Sequence, residues 1–149
     1  MTTRNEFLAM VLPPLQDGEH YCNLGIKKDE NGKDYVRQRF AASIQELSDQ
    51  ADAIQQAGLN AFFALAKFGP KASGRFAPNA LALKAFFLDL DCGPTKPYLT
   101  LEDGLVALRA FCKATHLPKP TILRSGRGAH VYWALEEEMP RQEWKLHAE

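Results

Sequence analysis

The chain has 149 residues, 46% of them hydrophobic, with 18 Lys and Arg balancing 18 Asp and Glu. That length suits one domain with a real core, and the apolar fraction excludes a disordered chain. Zero net charge removes the strong field of a dedicated nucleic-acid binder and leaves room only for a local basic patch.

The three cysteines, Cys22, Cys92 and Cys112, are odd in number and widely spaced. They form no disulfide framework, and no C-x-x-C pair suggests zinc. A reducing, cytoplasmic location is expected. The apolar run in Met1–Leu15 is too short for a signal peptide, and nothing approaches a membrane span.

In chain order, Asn5–Leu12 reads as a short amphipathic helix stopped by Pro13-Pro14. Two alternating segments, Glu19–Lys28 and Asp34–Phe40, flank Asn31-Gly32 and predict a hairpin. His20 and Cys22 lie two apart there with no partner ligands nearby, so no metal role is expected of them. Ser43-Ile44-Gln45-Glu46 fits a capping box. It opens a helix over Ser43–Ala57 with Ile44, Leu47, Ala51 and Ile54 on one face, stopped at Gly58.

The apolar run Leu59–Phe68 reads as one buried strand, placed over Ala61–Phe68. A loop follows over Gly69–Asn79. Its Lys71 and Arg75, with Lys67 and Lys84, make the most basic neighbourhood of the chain. Such a loop is either simply solvated or a set of phosphate contacts.

Lys84–Gly93, KAFFLDLDCG, reads as a buried strand ending in two carboxylates. Period-two geometry sets Asp89 and Asp91 on one face, with Cα atoms roughly 6–7 Å apart. At an effective dielectric of about 20, their repulsion is roughly 3 kcal/mol, which a cation would offset. Oxygen-only ligands suit Mg²⁺ or Mn²⁺. An isolated D-x-D also serves to end a strand and start a turn at Cys92-Gly93-Pro94.

Thr100-Leu101-Glu102-Asp103 marks another helix start. That helix, over Glu102–Thr115, would bury Leu101, Leu105, Leu108 and Phe111 and end near His116-Leu117-Pro118, with His116 meeting the helix dipole. Ile122–Arg124 and His130–Leu135 read as strands joined by Ser125–His130. Gly126 and Gly128 permit a tight reversal and close approach of N–H groups to an anion. Arg127 at the tip offers forked contacts to phosphate oxygens. His130 shares a face with Tyr132, while Val131 and Trp133 face the other way. Trp133 is therefore expected in the core, and Tyr132 as a candidate to stack on a base. Glu136, Glu137, Glu138 and Glu143 read as a solvated turn and the start of a helix through Trp144 and Leu146.

FFLDLDCG followed by TILRSGRGAHVYW resembles the archaeo-eukaryotic primase superfamily, and most of all the primase-polymerases of phages, plasmids and mobile elements. The resemblance implies one domain over 1–149, with an N-terminal α/β subregion over 1–80 and a metal- and nucleotide-binding subregion over 81–149. It implies that Asp89 and Asp91 hold two catalytic Mg²⁺ or Mn²⁺ ions and that His130 contacts the incoming nucleotide's phosphates. Ser125, Gly126, Arg127 and Gly128 would assist, with Arg75 and Lys84 as further nucleotide contacts.

The implied partners are nucleoside triphosphates, a single-stranded DNA template and primer, and a helicase or accessory domain. The family's third carboxylate lies well beyond the histidine hairpin, whereas this chain stops at Glu149, so a fragment is expected. The implied fold is α+β, an RNA-recognition-like core. A mixed or antiparallel sheet with an N-terminal hairpin would be covered by helices. The competing function is a non-catalytic nucleotide or single-stranded DNA binding module, and a third is a different metal-dependent phosphotransferase or nuclease using the same D-x-D.

Overall fold

The computed structural model describes residues 1–70 and 74–149, so Lys71 of the basic loop lies outside the described residues. The element order is α1 (Arg4–Val11), β1 (Tyr21–Lys28), β2 (Asp34–Ala41), α2 (Ile44–Gln56), β3 (Asn60–Phe63), β4 (Lys67–Phe68), a 3₁₀ turn (Ala77–Asn79), β5 (Ala80–Leu90), α3 (Leu101–Thr115), β6 (Thr121–Ser125), β7 (Gly128–Pro140) and α4 (Arg141–Ala148). This is an α+β chain with antiparallel strand pairing. It divides into two compact units, residues 1–84 with 136–149 and residues 85–135. Among the described residues, no helix is long and apolar enough to cross a membrane.

In the first unit, helix starts follow their sequence signals. Thr3 caps α1 and exchanges bonds with Glu6 as a full capping box. At α2 the predicted box is half made. Ser43 Oγ accepts the Glu46 N–H at 3.1 Å, but the Glu46 carboxylate takes the N–H of Ala42 at 2.7 Å, not that of Ser43. Strands order as β2-β1-β3, with β1 and β2 forming the predicted hairpin from Tyr21 opposite Ala41 to Lys28 opposite Asp34. The α2 face rests on this sheet through Leu47 and Ile54, and Asn23 Nδ2 donates to the Leu47 carbonyl at 2.8 Å.

Three sequence expectations need correction in this unit. Leu59–Phe68 is not one buried strand. It breaks after Phe63, and β3 pairs with β1 while β4 pairs with β5; Phe62 is 47% exposed. Glu136–Glu138 is not a solvated turn, because β7 continues through it to Pro140.

The third correction concerns Lys67, assigned above to a basic patch. It is 4% exposed and ion-paired to Glu19 at 3.0 Å and Glu138 at 2.8 Å, and it donates to the Pro14 carbonyl at 3.1 Å. Of the two Glu138 oxygens near its ammonium, Oε1 at 2.9 Å is the aligned acceptor, whereas Oε2 is buried without a hydrogen bond. Burial alone would lower the Lys67 pKa; hydrogen bonds and charge from Glu138 and Glu19 more than reverse this and raise it.

In the second unit the strand order is β5-β7-β6. Thr100 caps α3 through a capping box with Asp103, as the sequence indicates. One sheet face meets α3 in a core of Leu90, Cys92, Leu108, Ala129 and Val131, with Leu101, Leu105, Cys112 and Trp133 packed around it. Trp133 Nε1 donates to the Pro118 carbonyl at 2.9 Å. Phe111, expected in this core, is 47% exposed. It borders a hollow with Leu88, Leu90 and Leu108, while Gly104 is buried and Cys112 packs against the core. His116 ends α3 in the left-handed conformation, φ 57°, its N–H bonded to the Cys112 carbonyl.

Candidate functional site

The β5 strand leaves its core just before the site. Leu90 is buried, but Phe87 and Leu88 are 45% and 39% exposed, so the expected fully buried strand is only half realised. Alternation sends Leu90 toward α3 and Phe87 and Asp89 to the opposite face. Asp91 stands one residue past the strand's end.

β7 supplies the second half. Leu90 meets Gly128, and the Phe87 ring meets those of His130 and Tyr132 at centroid distances of 5.5 and 5.2 Å. Asp89 Oδ1 lies 3.8 Å from His130 Nε2. That is ion-pair range for a charged imidazole and too long for a hydrogen bond. The carboxylate of Asp89 and the ring of His130 are 54% and 35% exposed, so both reach solvent.

The β6–β7 hairpin closes with Ser125 opposite Gly128, which leaves Gly126 and Arg127 as a two-residue turn. Gly126 has φ +70°, and among the described residues Arg127 is not in the positive-φ region. That is the type II′ pattern, which asks for glycine first and matches strand twist. Gly128 has a different cause. A Cβ there would come within 2.1 Å of the Leu90 carbonyl oxygen, so its lack of a side chain lets β7 pass against the end of β5. Register puts Ser125 and Leu123 on the face of His130, with Leu123 directly opposite it. The described geometry therefore brings Asp89, His130, Ser125 and the Gly126–Gly128 turn to one end of one sheet.

One participant was not read from the sequence. Lys96 Nζ lies 2.7 Å from Asp91 Oδ2. The turn places it there: the Gly93 N–H bonds the Tyr98 carbonyl at 2.8 Å, and the Lys96 N–H bonds the Gly93 carbonyl at 3.0 Å. The hydrogen bond and charge of Asp91, with a further contribution from Asp89, raise the Lys96 pKa. The G-P-T-K-P turn carries this lysine five residues after Asp91, a spacing that could have flagged it. Tyr132, read from the sequence as a candidate to stack on a base, is 4% exposed. Its burial, then the Asp89 charge, pushes the hydroxyl pKa up to about 12, so it stays a neutral hydrogen-bonding group at any physiological pH. Burial also argues against base stacking by its ring.

Arg75 and Lys84 belong to the first unit. The Arg75 backbone N–H donates to Gln38 Oε1 at 3.2 Å, and Lys84 is half-buried on β5. No family model matches the chain, and no curated protein or solved structure matches it.

The donor chemistry fits a hard divalent cation. Asp89 and Asp91 offer exposed oxygens two residues apart and are the residues that would hold one.

Proposed function

We propose that the chain carries a primase-polymerase type nucleotidyl-transfer site, with an RNA-recognition-like core as its finer fold. The observation that carries this reading is the placement of Asp89 beside His130 on adjacent strands, next to a glycine-arginine turn. Carboxylates and a phosphate-binding turn at one sheet end are what a metal–triphosphate site requires.

Asp89 and Asp91 would hold Mg²⁺ or Mn²⁺, which when bound activates a hydroxyl and stabilises charge at the transferred phosphoryl group. The chain's own residues position and neutralise. Lys96 balances the Asp91 charge, and were Asp91 to hold a cation its ammonium would be free to meet a phosphate. Arg127 and the turn amides meet phosphate oxygens. His130, held edge-on by Phe87, donates to the same phosphates, and Tyr132 buttresses the Phe87 ring. The implied substrates are nucleoside triphosphates on a single-stranded DNA template with a primer, and a helicase or accessory domain is the implied wider context.

The test is extension of a labelled primer with Mg²⁺ or Mn²⁺ and ribo- or deoxyribonucleotides. Extension lost in Asp89→Ala and Asp91→Ala, with unchanged thermal midpoints, supports the proposal. Near wild-type extension by either variant sinks the metal assignment. If the wild type binds nucleotide with Mn²⁺ through Asp89 but extends nothing, the binding-module reading replaces the enzyme.

A further inference from the structure

We propose that the groove between α3 and β6, on the sheet face away from Asp89 and His130, is a docking site for an acidic peptide segment of a partner protein carrying apolar anchors. This stands apart from the nucleotidyl-transfer reading and uses none of its residues.

Two adjoining hollows of about 360 and 600 Å³ lie along this groove, within the range of about 300–1,000 Å³ typical of binding clefts. The first has an aliphatic floor from Leu105, Leu108, Leu117, Pro120 and Ile122. Leu117 and Ile122 are each 40% exposed, and Val106 beside the second hollow is 61% exposed. Apolar surface of this kind, gathered in a concave place, marks an interaction site more than scattered exposure does.

The rim selects the partner. Arg109, Lys113 and Lys119 border the first hollow, and Arg109 and Arg124 border the second. These four cations are exposed. None of them forms an ion pair among the described residues, and Glu102 is the one acidic residue on the described lining. In a chain of zero net charge, such a row favours an anionic partner and speeds its capture. The spacing of Leu105, Leu108, Arg109, Cys112 and Lys113 follows one helical stripe, so apolar and basic positions alternate along the same groove.

A nucleic acid is the less suitable occupant. Neither hollow has an aromatic side chain in its described lining, whereas single strands are held by stacking on aromatic rings. An aliphatic floor between cations suits Leu, Ile or Phe anchors flanked by Asp and Glu. β6 has a strand on one side only within its unit, so an extended peptide can also add to its edge.

Panning a random phage-displayed peptide library on the intact chain tests this. The comparison chain carries Arg109→Glu with Lys119→Glu, at exposed positions, and its fold is checked by thermal midpoint. Should that pair destabilise the chain, Arg109→Gln with Lys119→Gln replaces it. The expected result is enrichment of peptides alternating acidic and large apolar residues. The best of them, labelled, should bind about ten-fold more weakly to the charge-reversed chain by anisotropy. No enrichment, enrichment of neutral or basic sequences, or equal affinity for both chains overturns the proposal. So does tighter binding of oligothymidylate than of the selected peptide through the same cations.

Discussion

Replacing Lys67 with Met tests whether that lysine is a structural counter-ion or a surface cation available to phosphates. Its ammonium is 4% exposed and lies 3.0 Å from Glu19 and 2.8 Å from Glu138, whose side chains are 11% and 34% exposed. Removing it leaves two carboxylates facing each other and the Pro14 carbonyl without its donor. Breaking a buried pair from one side costs about 3–5 kcal/mol. Water reaches Glu138, and Glu19 keeps the Gln16 N–H at 2.7 Å, so the low end applies, about 3 kcal/mol. For a chain of this size that corresponds to a fall in thermal midpoint of roughly 6–12 °C.

The pH profile separates this cause from lost packing. At neutral pH the penalty comes from two carboxylates left without their counter-charge. Toward alkali, the raised Lys67 pKa gives the native protein stability that is complete below the unfolded lysine value and lost as pH rises through the folded one. The wild-type and Met curves therefore differ at neutral pH and converge in strong alkali. Combining Lys67→Met with Glu19→Gln and Glu138→Gln removes the stranded charges and should recover most of the loss. Urea melts at several pH values make the measurement. A neutral-pH difference under about 1 kcal/mol, or a gap that stays constant into strong alkali, would falsify the buried-triad argument.

Gly128→Ala should cost more than about 3 kcal/mol, because its Cβ would collide with the Leu90 carbonyl oxygen at 2.1 Å. Gly126→Ala meets no neighbour but keeps φ +70°, so about 1–2 kcal/mol is expected; the two ranked the other way in a melt would refute the strand-approach account. Burial pushes the Cys22 thiol up to about 11 against a nearby lowering influence from Arg75. The native state thus holds its proton longer than the unfolded chain, and stability should decline between about pH 9 and 11. In native protein a thiol reagent should modify half-buried Cys112 before Cys22, which mass spectrometry would show. Thr100→Ala removes the α3 cap and its exchange with Asp103, and should lower stability by about 1 kcal/mol; no change in midpoint would show that the cap is replaced by water.

Local signals were legible in the sequence. Asn31-Gly32 announced a hairpin, and Asp29 Oδ1 completes its turn by accepting the N–H groups of Asn31 and Lys33. Thr100 and Asp103 announced α3. What the sequence did not reveal depends on partners far along the chain. Ala64-Leu65-Ala66 carries no turn residue, so nothing local says that Phe63 and Phe68 serve different sheets. Glu136-Glu137-Glu138 reads as solvated because Lys67, 71 positions away, is what makes Glu138 tolerable inside a strand. The basic neighbourhood loses Lys67 for the same reason, since counting it as an available cation ignores the two glutamates that enclose it.

The D-x-D pair shows the same division at the site itself. Repulsion between two aspartates on a strand end implied a cation, and the structure provides one in Lys96 at 2.7 Å from Asp91. That lysine is an exposed, screened partner and worth little to stability, so it is a replaceable counter-charge rather than a fixed support. Among the described residues, Asp89 has only the distant imidazole of His130, at 3.8 Å. A divalent ion would therefore displace one weakly held ammonium and gain two carboxylates. Lys96→Ala should then tighten Mn²⁺ binding while weakening triphosphate binding. A variant in which both affinities fall together would show that Lys96 orders the turn instead of guarding the site.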